Sequence, residues 1–202
     1  MEKIIQYLND KYNPEAIIVY GSFANNTQDS NSDFDALVVT KETCVPYDNS
    51  IVDNTLLDVF IYQLDELKLK FNPEDFVMIF DGNVILDKNG YATMMKQKVL
   101  EYIDNFPKVD KQELEHLVTW CEKMLERAKR NDAEGFYRWH WVLVDSLKIY
   151  FDCIGEYYFG PKKSLELLKK RNLEVYTLYQ NALISFNMDE LSCWIQYLRS
   201  II

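Results

Sequence analysis

Residues 21–39 read GSFANNTQDSNSDFDALVV and follow directly on the apolar run Ala16–Tyr20, AIIVY. A short run rich in β-branched residues that stops at Gly-Ser reads as a buried strand ending in a sharp turn. The polar stretch from Asn25 reads as loop, and Phe34–Thr40 (FDALVVT) as a second strand. Asp33 and Asp35 are two apart at the start of that strand, so their side chains share one face. A third strand, Ile51–Tyr62 (IVDNTLLDVFIY), has a hairpin break at Asp53-Asn54 and carries Asp58 among apolar residues.

The remaining elements follow outward from this core. Ile4, Ile5, Leu8 and Tyr12 make a helical stripe over residues 2–12, ended by Asn13-Pro14. Residues 64–79 read as partly helical. Asp81-Gly82, between MIF and VIL, is a hairpin or strand-turn signal. A helix over residues 91–104 ends near Phe106-Pro107. Beyond that point apolar residues recur at helical spacing over 111–130, 134–156, 164–171, 175–186 and 188–202, which predicts an antiparallel helix bundle. Charge breaks at the same place. Residues 1–106 carry 8 Lys, no Arg and 18 Asp+Glu, a net −10, whereas residues 107–202 are neutral. Two domains are therefore expected, 1–106 and 107–202.

Three converging carboxylates would repel one another, and burying one unpaired is expensive. A divalent cation removes both costs. With oxygen ligands only and no His or Cys nearby, Asp33, Asp35 and Asp58 favour Mg²⁺ over zinc. Gly21, lacking a Cβ, lets a phosphate approach the backbone. Ser22 is placed to cap a following helix whose free N–H groups would face an anion. A phosphate site beside a metal site is what nucleotidyl transfer requires. Turn chemistry for Asp33 and a solvent-facing edge-strand acid for Asp58 are the alternatives.

This set of residues resembles the signature of the polymerase β-type nucleotidyltransferase superfamily: an apolar strand, Gly-Ser, about ten residues, Asp-x-Asp, then a third Asp on a later strand. Gly21, Ser22, Asp33, Asp35 and Asp58 each fall on the family's positions. Ala24 matches too, whereas Asn26 stands where the family's small members carry Gly. Asn tolerates the left-handed backbone region that such a Gly would supply. The resemblance implies an α+β fold, with a small mixed sheet flanked by helices over 1–106 followed by the all-α bundle.

The helical half loosely resembles the C-terminal bundle of kanamycin-type antibiotic nucleotidyltransferases. That family has a glutamate general base followed four residues later by a phosphate-contacting lysine. LERAKRN matches with Glu126 as the base and Arg130 at the basic position, and Glu122 is the reserve. An ion pair on a solvated helix face is the alternative. Lys162, Lys163, Lys169, Lys170 and Arg171 surround one helix and either contact a triphosphate, Lys162 foremost, or complement the helix dipole. Trp139, Trp141, Tyr157, Tyr158 and Phe159 either line a pocket or fill the core. His116 and His140 are lone and read as structural.

Composition excludes several classes. The acidic first half cannot neutralise a nucleic-acid duplex and favours a cationic or neutral acceptor. No run approaches the about 18 apolar residues of a membrane span. Cys44, Cys121, Cys153 and Cys193 are widely spaced, neither a zinc set nor a disulfide framework, and read as reduced core thiols of a cytoplasmic protein. The expected activity is Mg²⁺-dependent transfer of a nucleoside monophosphate, AMP from ATP or another NTP, to a hydroxyl of a small molecule, with an antibiotic-type acceptor possible. The alternatives are an antitoxin-like regulator that transfers AMP to a protein, or a degenerate nucleotide-binding module.

Overall fold

Strand β1 (Ala16–Val19) is buried at every residue because apolar side chains cover both faces of its sheet. The computed structural model describes residues 1–42 and 45–202, which divide into two compact units, 1–105 and 106–202. Cys44 lies outside the described residues. The sheet of the first unit adds β2 (Phe34–Thr40), β3 (Tyr47–Asp48), β4 (Ile51–Val52), β5 (Thr55–Gln63) and β6 (Asn83–Asp87). Its order is β3-β5-β2-β1-β6, with β4 pairing β5 off this path. The β2/β5 pair is parallel, whereas β1/β2, β1/β6 and β3/β5 are antiparallel, so the sheet is mixed.

Strand alternation divides the apolar residues between two cores. Ile17 and Val19 join Phe34, Ala36, Val38, Leu57, Val59 and Ile61 beneath helix α1 (Glu2–Tyr12), which contributes Ile4, Leu8 and Tyr12. Ala16, Ile18 and Tyr20 join Leu37 and Val39 on the other face, under helices α3 (Leu64–Lys70) and α4 (Tyr91–Asp104). The hairpin break falls where expected. Asp53 and Asn54 both take positive φ, 52° and 63°, between the paired residues Val52 and Thr55, as a tight two-residue hairpin loop requires.

At Asp81-Gly82 the structure differs from a hairpin. Met78 and Ile79 end a 3₁₀ segment, Pro73–Ile79, which Asn72 caps by accepting a hydrogen bond from the Glu74 amide. The following strand β6 pairs with β1 instead of with its sequence neighbour. Ile79 is fully buried against the sheet, so the apolar MIF triplet serves the core without being a strand.

The second unit is all-helical: α5 (Lys111–Ala128), α6 (Ala133–Cys153), α7 (Pro161–Arg171), α8 (Leu173–Ile184) and α9 (Met188–Ser200). With the mixed sheet before it, the fold class is α+β. Asp110, Asp132, Asn172 and Asn187 cap four of these helices by accepting backbone N–H bonds. Trp194 is fully buried and donates its indole N–H to Ser146 Oγ at 2.9 Å. Ser146 Oγ and Tyr179 Oη both donate to the Leu143 carbonyl. Arg199 of α9 ties α5 by donating to Glu115, Thr119 and Glu122. No helix among the described residues is long and apolar enough to cross a membrane.

The thiols divide. Burial pushes Cys121 up to about 12 and Cys153 up to about 11, so both stay protonated. Cys193 is exposed on α9 and is not a core thiol, because it faces away from the Leu191–Trp194–Ile195 stripe. Both histidines also lie at the surface.

Candidate nucleotide and metal site

Parallel pairing of β2 with β5 sets Asp35 directly beside Asp58. Both follow the parity of the face that carries Tyr20, Leu37 and Val39. Both are half-buried. Because β5 lies between β2 and β3, Asp58 is not an edge-strand acid. Asp33 is exposed, one residue ahead of β2 on the same pleat side. The turn leading to it is tied by Asp29, Asn31 and Ser32. Among the described residues no hydrogen bond of that turn comes from the Asp33 side chain.

Two tyrosines register these charges. Interaction with the Asp58 carboxylate first, then burial, then the charges of Asp58 and Asp33 raise the Tyr47 phenol. Tyr20 is raised by burial and next by Asp35 and Asp58. Sequence reasoning missed both residues. Tyr47 reaches the site through cross-strand register with Phe60, and its sequence neighbourhood carries no signal of that.

Gly21 takes a φ of 67° and packs against Asp35: a Cβ there would lie 2.9 Å from Asp35 Cγ and overlap Oδ2. An L side chain is thus barred twice, by backbone conformation and by space. The helix that follows is a single turn, α2 (Gly21–Ala24), whose N-cap is Tyr20. Ser22 is therefore its second residue and not its cap, and so short a helix has little macrodipole. Asn26 sits at φ 55°, the left-handed conformation for which Gly is the usual residue. Asn25 Nδ2 bonds the Gly21 carbonyl and Asp81, and Asn83 Nδ2 bonds the Ala24 carbonyl, which ties the loop to the start of β6.

Among the described residues no three His, Cys, Asp or Glu side chains gather as a ready metal cluster. What the register does bring together is a carboxylate pair with a third acid at its edge. Mg²⁺ is commonly held by one or two carboxylates plus substrate phosphates, so the donor set fits that ion and not a thiolate- or imidazole-bound metal.

The other candidate residues belong to the helical unit. Glu126 is exposed on α5 and pairs with Lys129 at 2.5 Å. Arg130, just past α5, is held by Asp132 and Glu134. Glu122 accepts two bonds from Arg199, which lowers its carboxyl below the ordinary range despite some burial. Lys162 is exposed in the first turn of α7. Its neighbours are engaged: Lys163 and Lys170 with Glu166, Arg171 with Glu156, and Lys169 over the Tyr176 ring. Trp139 is core, whereas Trp141 and Tyr158 line a cleft of the helical unit.

Residues 2–91 match the family described as Polymerase beta, Nucleotidyltransferase. Among solved structures, the chain is similar to a nucleotidyltransferase-like protein from Exiguobacterium sibiricum 255-15. That likeness has 16% identity and a TM-score of 0.40, covering 98% of this chain and 71% of that one. It is also similar to a toxin-antitoxin structure with AMP-PNP, at 19% identity and a TM-score of 0.34, over 51% of this chain and 86% of that one. A comparison with curated proteins returns no match.

Proposed function

With residues 2–91 forming a polymerase β-type nucleotidyltransferase domain, we propose that the chain moves a nucleoside monophosphate, AMP from ATP, onto a hydroxyl of a small molecule. The observation that carries this reading is the Asp35/Asp58 register pair, with Asp35 packed against Gly21. Asp33, Asp35 and Asp58 hold Mg²⁺, and the backbone at Gly21 together with the Ser22 hydroxyl binds the phosphates. The chemistry the cation supplies when bound is neutralisation of phosphate charge and activation of the attacking hydroxyl.

The helical unit completes the reaction in this reading. Glu126 takes the hydroxyl proton as general base, and Arg130 and Lys162 contact the triphosphate. Glu126 suits the role better than Glu122, whose carboxylate is committed to Arg199 and is the weaker base for it. The acceptor is cationic or neutral, because residues 1–106 carry a net −10 whose field attracts amines and repels acids.

The test is pyrophosphate release from ATP and Mg²⁺ across a panel of hydroxyl acceptors: aminoglycosides, lincosamides and acidic sugars. Asp33→Asn, Asp35→Asn and Asp58→Asn each remove a ligand without changing shape. Each should lower turnover at least ~100-fold, as removal of an electrostatic stabiliser does. Variants that turn over like the wild type would overturn the site assignment.

A further inference from the structure

Helices α5 and α6 enclose a cleft of about 720 Å³ within the helical unit, a size that accommodates a small organic ligand. Its walls are Leu117, Trp120, Trp141, Val144, Ile149 and Tyr158. The two indoles meet edge to face, with ring centroids 5.6 Å apart. Trp141 Nε1 donates to Asp145 Oδ2 at 2.6 Å, which pins that carboxylate into the wall. Asp145 is half-buried and has no cationic partner among the described residues.

The other charges of the cleft are spoken for or peripheral. Lys148 is paired with Asp152 at 2.7 Å, and Glu113 stands largely exposed beside His116. The lining thus holds three carboxylates and one ammonium, and the ammonium is already neutralised. An anionic ligand would find no free donor cation. A neutral apolar ligand would strip water from Asp145 without replacing its lost hydrogen bonds, which is costly. Aromatic faces attract cations through their quadrupole, as at Trp141, where Arg138 lies over the ring at 5.3 Å, so the Trp120 indole and the carboxylate select the same sign.

We propose that the α5–α6 cleft binds a small organic ammonium ion, its apolar skeleton against Trp120, Leu117 and Ile149 and its charged nitrogen at Asp145. The Asp145 carboxylate also acts on a neighbouring phenol and thiol. Tyr158 is raised by burial and then by Asp145, and Cys121 is raised by burial, then Cys153, then Asp145. This site needs no nucleotide and stands whether or not the transfer reaction does.

The experiment titrates the full chain, without nucleotide, by calorimetry and tryptophan fluorescence. The probes are phenethylammonium, its neutral counterpart phenethyl alcohol and the anion phenylacetate. Phenethylammonium should bind roughly tenfold tighter than the alcohol, with phenylacetate not binding. Asp145→Asn should erase that preference and Asp145→Glu should restore part of it. Trp141→Phe, which removes the Asp145 anchor without adding a charge change, should weaken the ammonium selectively and serves if Asp145→Asn folds poorly. Equal binding of ammonium and alcohol, a preference that survives Asp145→Asn, or no saturable binding of the ammonium would each overturn the proposal. Binding only of lysine-bearing peptides, and not of the free amine, would do so too.

Discussion

In residues 106–202 most helix-face acids meet a base one turn away or on the neighbouring helix: Glu126 meets Lys129, Glu134 meets Arg130 and Arg138, Glu166 meets Lys163 and Lys170, and Glu122 meets Arg199. In residues 1–105 two acids of the candidate site, Asp33 and Asp58, act instead on Tyr47. Asp33 and Asp58 make no ion pair among the described residues, and both raise the Tyr47 phenol. The contrast separates two uses of a carboxylate. Where a base neutralises it, it fastens one helix to another. Where none does among the described residues, as at the half-buried Asp58 and Asp145, the carboxylate is left for a cation from outside, which is what is proposed for both.

The comparison breaks most sharply at Glu126, a paired acid to which a chemical role is nevertheless given. Glu126→Gln should lower turnover roughly 10²–10⁴-fold, the contribution of a positioned general base. ATP affinity and melting temperature should stay as they are, since the Lys129 pair is exposed and exposed pairs contribute little. Glu122→Gln should act the other way, loosening the Arg199 clamp between α5 and α9 while activity per folded molecule holds. If Glu122→Gln alone abolishes transfer, the base lies one turn earlier. If both variants keep full activity, the helical unit supplies a pocket wall and no proton transfer.

A smaller effect tests an acid of the sheet that is neutralised. Asp48 is buried on the α1 face and accepts hydrogen bonds from Tyr12 Oη at 2.6 Å, Lys11 Nζ at 3.0 Å, Tyr7 Oη at 3.1 Å and both Ser50 donors. Burial by itself would raise its carboxyl, but the bonds from Ser50, Tyr12 and Lys11 outweigh burial and hold it well below the usual range. The sign follows: the stabilisation is complete above about pH 4, where the unfolded carboxyl is also ionised, and fades as pH falls below that. Asp48→Asn should cost about 1–3 kcal/mol near neutrality. The gap to wild type, measured by denaturant unfolding, should shrink progressively as pH falls below about 4. A gap that stays constant with pH would show the network to be worth no more than its neutral hydrogen bonds.

These two acids also mark how far the sequence could be read. The strands around Gly21 and Asp33-Phe34-Asp35 were legible because alternation and turn residues are local signals, and Asp53-Asn54 announced its own hairpin. The helices of 106–202 were legible for the same reason, since an apolar stripe needs only its own helix. What could not be read is whatever depends on a second element. Tyr47 joins the acids through cross-strand register, Glu122 meets Arg199 from 77 residues away, and Asp145 faces a cleft built by another helix. The single turn at Gly21–Ala24 was hidden for a different reason: Ser22 fits a cap chemically, but the chain begins its turn one residue sooner, with Tyr20 as N-cap.

The smallest expected effect concerns Lys162, a cation of α7 with neither an ion pair nor a ring contact among the described residues. Lys163 and Lys170 share Glu166, Arg171 holds Glu156, and Lys169 lies over Tyr176. Lys162 is exposed and makes no ion pair among the described residues, so its charge is available to a triphosphate. An exposed, mobile ammonium gains little from one such contact, and Lys162→Ala should raise the KM for ATP only about two- to fivefold with kcat unchanged. The rise should shrink as salt is added, because screening acts most strongly on exposed charges. Lys162→Arg should keep wild-type affinity, and Lys169→Ala should leave KM where it is. A KM that does not move for Lys162→Ala at low salt would return Lys162 to the helix surface. A large fall in kcat would instead make it part of the reacting site, and the helical unit would then share the chemistry of the sheet more deeply than its ion pairs suggest.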